Sequence, residues 1–335
     1  MEEVSYLFEV KKAARLIKLL GAKRVLLQLP EGLKRYAPSI VDELEKETNG
    51  QALVLVSGET AYGPCDIALE EAKKLKADVI LHYGHTSRYY GNVGVPIIFI
   101  PAFSSVKPKR GIDALVGLLK GRDIESVGLS TVIQHAHILE DVSRALRREG
   151  IRVFVGGGAK ADPGVIIGCD YTPALEVNDE VQAHIVIAGG LFHGLGLRVA
   201  TGKKVLVLDP YRDEVIDVDR EYRKMYALGL AQVLKAMKAT KFGIIVCMKS
   251  GQYSLREALK IRQILKEHGR EGIVITVRDV TSEKLAAFTN LEAFVNTCCP
   301  RLSLDDREAM GRPILAPHEL SFVLKGDITR YRLRI

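Results

Sequence analysis

Lys241-Phe242-Gly243-Ile244-Ile245-Val246-Cys247-Met248, the following stretch Tyr253–His268 and then Glu271–Val280 carry the pattern that decides the fold. The first stretch is an apolar run of strand length. Its Ile244-Ile245-Val246 core is continuously apolar, as in a strand buried on both faces. The second places Leu255, Ala258, Leu259, Ile261, Ile264 and Leu265 close to one helical stripe, and Gly269 supplies a C-terminal stop. His268 falls in the last turn, where the helix dipole favours it, and is assigned no chemical role. The third stretch is again a strand. Strand, helix and strand joined by short connections form the unit of a parallel sheet with helices on its faces.

The same rhythm runs through the rest of the chain. Candidate strands are Lys23–Pro30, Ala52–Gly58, Asp78–His85 and Val95–Ala102, then Glu125–Val132, Ile151–Gly158, His184–Gly190 and Lys203–Pro210. The last third adds Glu292–Pro300 and Arg312–Glu319 to the two strands above. Val25-Leu26-Leu27, Val153-Phe154-Val155 and Val205-Leu206-Val207 are continuous apolar runs of the doubly buried kind. An amphipathic helix fits between the first two strands of each third, at Gly32–Glu47, His135–Glu149 and Tyr253–His268. The pattern predicts an α/β protein of three similar domains, each a small four-stranded parallel sheet flanked by helices. Soft boundaries fall at residues 1–105, 106–212 and 213–335.

In such units function gathers at the C-terminal ends of the strands. Those ends carry Pro30-Glu31-Gly32, Ser57-Gly58-Glu59-Thr60, His82-Tyr83-Gly84-His85, Gly156-Gly157-Gly158, Gly189-Gly190-Leu191-Phe192-His193-Gly194 and Ser250-Gly251-Gln252. One cysteine per third lies at or just beyond such an end. They are Cys65 in Tyr62-Gly63-Pro64-Cys65-Asp66, Cys169 in Gly168-Cys169-Asp170-Tyr171, and Cys299 in Asn296-Thr297-Cys298-Cys299-Pro300-Arg301. Cys65 and Cys169 follow the second strand of their thirds, whereas Cys299 ends the third strand of its own. Their separation is far beyond a local C-x-x-C motif, so the thiols meet most simply if three similar units surround one point. Three soft sulfur ligands suit zinc or an iron–sulfur cluster. A trio leaves one iron of a four-iron cluster without a protein ligand and able to bind a substrate.

Cys247 reads as a small buried residue inside its strand. Cys298 and Cys299 are neighbours whose side chains point opposite ways, so only one reaches a shared centre, and spacing alone does not choose between them. His82, His85 and His193, on strand-end loops, read as substrate-binding or loop hydrogen-bonding groups, or as a fourth ligand to zinc. The glycines at 156–158 and 189–190 allow a ligand to approach the backbone closely or make plain tight turns.

The remaining features mostly exclude. The chain has 335 residues, 47% hydrophobic and 27% charged, which suits a soluble globular protein with substantial cores. No apolar run approaches the roughly 18 residues of a membrane span. Met1-Glu2-Glu3-Val4 is acidic where a signal peptide needs positive charge, so a cytoplasmic location is expected. Five cysteines in such a chain argue for reduced thiols and against a disulfide framework. The net charge of +7 favours encounter with an acidic macromolecule or reflects a Lys/Arg-rich surface; Lys107-Pro108-Lys109-Arg110 is its densest block. There is no G-x-G-x-x-G opening a helix, no G-x-x-x-x-G-K-[ST] and no Gly-x-Ser-x-Gly elbow.

Tyr62-Gly63-Pro64-Cys65-Asp66, Ala77–Thr86, Gly168-Cys169-Asp170-Tyr171, Gly190-Leu191-Phe192-His193 and Cys299-Pro300-Arg301-Leu302-Ser303-Leu304-Asp305 occur in this order along nearly the whole chain. In this combination the sequence resembles the archaeal 2-(3-amino-3-carboxypropyl)histidine synthase family of diphthamide biosynthesis. The resemblance implies three-domain homodimers holding a 4Fe-4S cluster centrally, on one cysteine from each domain. Here these are Cys65, Cys169 and, because the family places its cysteine directly before Pro-Arg, Cys299. The open iron engages S-adenosylmethionine, and the 3-amino-3-carboxypropyl group is transferred by a radical mechanism to a histidine of translation elongation factor 2, releasing methylthioadenosine. The chain lacks the C-x-x-x-C-x-x-C run of ordinary radical enzymes using that cosubstrate. An unidentified electron donor is implied. Gly189, Gly190, His193 and Gln252 are candidate S-adenosylmethionine contacts by their strand-end positions.

Two other readings compete. Quinolinate synthase-like enzymes also join three domains around a three-cysteine cluster, whose open iron acts as a Lewis acid on a small substrate. The other is a non-enzymatic zinc- or cluster-bearing scaffold for a translation factor. Release of methylthioadenosine separates the first from the transferase, and zinc in place of iron would favour the second.

Overall fold

The computed structural model describes residues 5–86, 93–157 and 162–335. The acidic start Met1–Val4, and Gly158 at the end of the 156–158 glycine run, lie outside them. The chain divides into two compact units. One runs to Leu197 and includes Lys203–Asp217; the other comprises Arg198–Gly202 and Val218–Ile335.

The first unit contains two sheets and a short ribbon. Strands β1 (Tyr6–Leu7), β2 (Arg24–Gln28), β3 (Leu53–Val56), β4 (Val79–Tyr83), β5 (Ile97–Ile100) and β6 (Phe103–Ser104) come first. β3, β2, β4 and β5 make a parallel sheet in that order, and β1 pairs antiparallel with β6. Every residue of β4 is buried, and so is all of β2 after Arg24, because both strands are central and covered on two faces. On one face the helices Val10–Leu19 and Ala37–Glu47 bury Ala13, Ala14, Ile17, Ile40 and Leu44 against Val25, Leu27, Val79 and Leu81. On the other, Ile67, Ala68 and Ala72 cover Leu26 and Ile80. Burial of each Val, Leu or Ile side chain here contributes about 1.5–3 kcal/mol, and of each Ala methyl roughly 0.8 kcal/mol.

The second sheet uses β7 (Ser126–Thr131), β8 (Arg152–Phe154), β9 (Ala183–Ile187), β10 (Lys204–Asp209) and β11 (Glu214–Asp217), in the order β11-β10-β9-β7-β8. Four of its strands are parallel. The fifth, β11, pairs antiparallel with β10, from Leu206↔Asp217 to Asp209↔Glu214. Glu214–Asp217 thus belongs to this sheet, although the sequence boundary after Arg212 assigns it to the last third, and the sheet has five strands where four were expected. β8 is an edge strand in which Arg152 is exposed and only Val153 is buried, so the Val153–Val155 run is not doubly covered as its composition suggested.

The second unit contains β12 (Lys241–Cys247), β13 (Glu271–Val277), β14 (Ala293–Asn296) and β15 (Ile314–Leu315), a parallel sheet ordered β13-β12-β14-β15. The last strand is two residues long because Pro313 and Pro317 flank it and cannot donate to the ladder. The helix Leu255–Glu267 buries Ala258, Ile261 and Leu265, while Leu259, part of the expected stripe, is 49% exposed. Gly269 takes φ +67° beyond the helix end, and His268 Nδ1 donates to the Ile264 carbonyl at 2.8 Å, a capping contact.

The parallel strands of all three sheets share one order: the second strand, then the first, third and fourth. Among the described residues no helix is long and apolar enough to cross a membrane.

Candidate functional site

All five cysteines are unbridged thiols with different settings. Cys247 is buried and its Sγ lies 3.2 Å from the Arg278 carbonyl, in keeping with a packing role. Cys298 Sγ turns toward the Ile245 carbonyl at 3.5 Å, and the side chain joins the core of the third sheet. The neighbouring Cys247 thiol, with burial, pushes the Cys298 thiol pKa far up, which disfavours its thiolate. Cys65 and Cys299 are partly exposed and Cys169 is exposed.

The Cys65 loop joins β3 to the helix Leu69–Leu75 and is held from the neighbouring strand. Gln28, the last residue of β2, is 1% exposed. Its Nε2 donates to the Asp66 carbonyl at 2.8 Å, and its Oε1 accepts from the Ala68 amide at 3.2 Å. His82 Nδ1 meets the same Oε1 at 3.0 Å, and His82 Nε2 meets His85 Nδ1 at 2.8 Å. These contacts assign every proton in the chain. A carbonyl oxygen can only accept, so Nδ1 of His82 carries the hydrogen. Burial, reinforced by His85, holds the His82 pKa well below its ordinary value, and burial pushes His85 down to about 4. Both rings are therefore neutral near pH 7. His82 Nε2 is the acceptor, His85 Nδ1 donates to it, and the His85 lone pair is on Nε2. His82 lies inside β4 and is fully buried, not on a strand-end loop as its sequence position suggested.

The Cys169 loop is held by its own turn. Ile167 and Asp170 exchange backbone hydrogen bonds at 3.2 and 3.3 Å, leaving Gly168 and Cys169 at the tip. Tyr171 Oη donates to the Gly168 carbonyl at 3.0 Å, and Asp170 Oδ1 accepts from the Thr172 amide and hydroxyl. A Cβ on Gly168 would lie 2.9 Å from the Phe192 ring, so only glycine lets that ring sit on the turn. Gly189 and Gly190 follow β9, and His193 is in the first turn of the helix Phe192–Thr201 rather than on a loop. Phe192 and His193 have ring centroids 5.0 Å apart. The structure thus brings the Cys169 turn and the Gly189–His193 junction together through Phe192.

Asp209 and Tyr211 escaped the sequence reading. Asp209, 2% exposed at the end of β10, accepts from the amides of Gly190 at 2.9 Å, Tyr211 at 2.9 Å and Arg212 at 3.3 Å. The Tyr211 ring packs on Gly189, where a Cβ would be 2.8 Å away, and edge-on against His135 at 5.1 Å. An acid at the end of a buried strand was the available signal. Gly156 has a packing role: a Cβ there would collide with the Pro173 carbonyl.

In the second unit, Asn296, 2% exposed at the end of β14, holds the Cys299 loop. Its Nδ2 donates to the Cys299 carbonyl at 2.9 Å and to Ser303 Oγ at 2.8 Å, and its Oδ1 accepts from the Cys298 amide at 2.9 Å. Arg307 Nε donates to the Ser303 carbonyl, and Arg307 Nη2 is bidentate to Glu319 at 2.7 and 2.8 Å, both side chains fully buried. Glu319 also accepts from Tyr331 Oη and the Ala316 amide, each at 2.8 Å. Gln252, the fourth candidate contact, is also in this unit, in a turn where its amide donates to the Lys249 carbonyl at 3.1 Å.

A family profile described as "Putative diphthamide synthesis protein" matches residues 29–332. The chain is 41% identical over 326 residues to the 2-(3-amino-3-carboxypropyl)histidine synthase of Pyrococcus horikoshii, covering 95% of this chain and 91% of that protein. The crystal structure of Dph2 from Pyrococcus horikoshii aligns with a TM-score of 0.87 at 37% identity, over 98% of this chain and 94% of the other. The structure of Dph2 from the same organism with a 4Fe-4S cluster aligns equally well, with a TM-score of 0.87 at 38% identity over 98% and 93%. The chain belongs to the diphthamide synthesis protein family.

Proposed function

We propose that the protein transfers the 3-amino-3-carboxypropyl group of S-adenosylmethionine to a histidine of translation elongation factor 2, the first step of diphthamide biosynthesis, by a radical mechanism at a 4Fe-4S cluster. The observation that carries this reading is a set of three cysteines on strand-end loops, in a family whose 38% identical member is solved with such a cluster. Cys65, Cys169 and Cys299 would hold it, one from each of the repeats 1–105, 106–212 and 213–335. Their chemistry fits: all three are unbridged cysteines at least partly exposed, and thiolates suit iron. Cys247, by contrast, is buried, and Cys298, partly exposed like Cys299, turns its Sγ toward the Ile245 carbonyl in the third sheet. When bound, the cluster supplies an iron without a protein ligand, to engage S-adenosylmethionine, and one electron for its sulfonium.

The chain's own part is binding and orientation. Gln28 and Asn296 fix the loops bearing Cys65 and Cys299, and the turn closed by Tyr171 and Asp170 fixes Cys169. Gly189, Gly190 and His193 are proposed cosubstrate contacts beside the Cys169 turn, with Phe192 packed between; Gln252 is proposed as a further one. The protein would act in the cytoplasm as a homodimer with an unidentified electron donor.

Anaerobic reconstitution followed by iron and sulfide analysis and an absorption spectrum tests the cluster. Four irons and four sulfides per chain are expected. They should be lost on replacing Cys65, Cys169 or Cys299 by Ala and kept in Cys247→Ala. Zinc in place of iron would overturn the reading, and full occupancy in Cys299→Ala with loss in Cys298→Ala would move the ligand to the neighbour.

A further inference from the structure

We propose that Gln28 is a positioning residue that seats Cys65: its carboxamide clamps the backbone just behind that thiol, and the His82–His85 pair locks the carboxamide in place. The proposal rests on the reading of Cys65 as a cluster ligand and adds what holds that ligand still.

Gln28 is a polar side chain with almost no exposure at the end of a strand whose preceding residues are apolar and buried. Burying an amide costs free energy unless its groups are paired, and here each polar atom has a partner. The orientation is unique. Turned over, the NH2 group would face the Ala68 N–H and the oxygen would face the Asp66 carbonyl, losing both bonds. The two contacts bracket Ile67 and fix Asp66, directly after the thiol, and Ala68, at the entry to the helix Leu69–Leu75. The Gln28 oxygen also accepts from His82 Nδ1, so His82 must be the Nδ1–H tautomer, and His85 in turn donates to its Nε2. The β2–β4 pairing Gln28↔His82 sets the two side chains side by side. The loop conformation and the histidine tautomer thus share one amide. A merely space-filling residue would not couple them.

The test uses the full chain, cluster-free and reconstituted, as wild type, Gln28→Met, Gln28→Glu and Cys65→Ala. Gln28→Met keeps an unbranched side chain of similar size and removes all three bonds. In the cluster-free protein, amide exchange over residues 62–72 should rise at least tenfold, with exchange elsewhere unchanged. The nitrogen-15 spectrum should show His82 leaving its single Nδ1–H tautomer. Iron retained after reconstitution should fall at least fivefold. Gln28→Glu keeps the acceptor and loses the donor at neutral pH. It should preserve the His82 tautomer, because one oxygen still accepts from Nδ1–H. Exchange over residues 62–72 should rise at least as much as in Gln28→Met, because the other oxygen now faces the Asp66 carbonyl without a proton between them. This variant carries the test if Gln28→Met does not fold. Unchanged exchange in Gln28→Met, or in Gln28→Glu if that variant alone folds, overturns the clamp. A loosened loop with full iron, where Cys65→Ala loses it, overturns the positioning role. Full iron in Cys65→Ala as well overturns the ligand reading itself, separately from the clamp.

Discussion

The loops that carry Cys65 and Cys299 are each pinned by one buried amide, yet the two amides draw on different support. Gln28 reaches from a neighbouring strand to a loop about forty residues later in the chain, and its oxygen is shared with a buried neutral histidine. Asn296 acts within seven residues, on Cys298, Cys299 and Ser303. It is backed by an ion pair, Arg307–Glu319, and by Tyr331 near the C-terminus. The first loop therefore depends on correct pairing of β2 with β4. The second depends on a charge network that ties it to the end of the chain. Two sheets of one strand order hold their cysteine loops by different polar means.

That contrast can be broken most forcefully at Glu319. Glu319→Gln leaves the fully buried Arg307 guanidinium without its counter-charge, which should cost about 3–5 kcal/mol in urea unfolding. Replacing both partners, Arg307→Met with Glu319→Gln, should recover much of the loss, because an uncharged pair needs no charge compensation. A single-variant loss below about 1 kcal/mol would show that the ion pair is not the support assigned to it.

A smaller effect sharpens the other side of the comparison. His85, His135 and His184, all in the first unit, are held down to about 4 from an ordinary 6.5, in each case mainly by burial. Their folded-state pKa values are depressed, so the unfolded chain binds more protons between pH 6.5 and 4. Their stabilisation is complete above about pH 6.5 and is lost as the pH falls toward 4. Hydrogen exchange at pH 7 and pH 5 should show greater loss of protection in the first unit than in the second, where His318 is shifted in the same direction but is opposed by Glu319. Equal loss in both units would contradict the assignment.

These contrasts also mark what the sequence could reveal. Continuous apolar runs located the parallel strands, because a strand covered on both faces has no reason to alternate. The same rule misread Val153–Val155, where an edge position leaves one side uncovered. Glu214–Asp217 was missed because a short antiparallel edge strand between polar residues resembles a loop. Gln28 was invisible for a different reason: a polar residue after an apolar run reads as the exit from a strand. Its role exists only once β2 and β4 are paired and the Cys65 loop has folded back over them. The choice of Cys299 over Cys298 came from the resemblance and not from spacing. The structure adds a physical difference between them, an inward thiol at Cys298 with its thiolate disfavoured.

The central claim concerns which carbon–sulfur bond of S-adenosylmethionine is cut. The reduced, reconstituted protein should be incubated without air with S-adenosylmethionine and translation elongation factor 2, and both small-molecule and protein products identified by mass spectrometry. The account predicts methylthioadenosine together with a histidine of the factor carrying the 3-amino-3-carboxypropyl group. Formation of 5′-deoxyadenosine and methionine instead, with the factor unmodified, would contradict it even with the cluster in place.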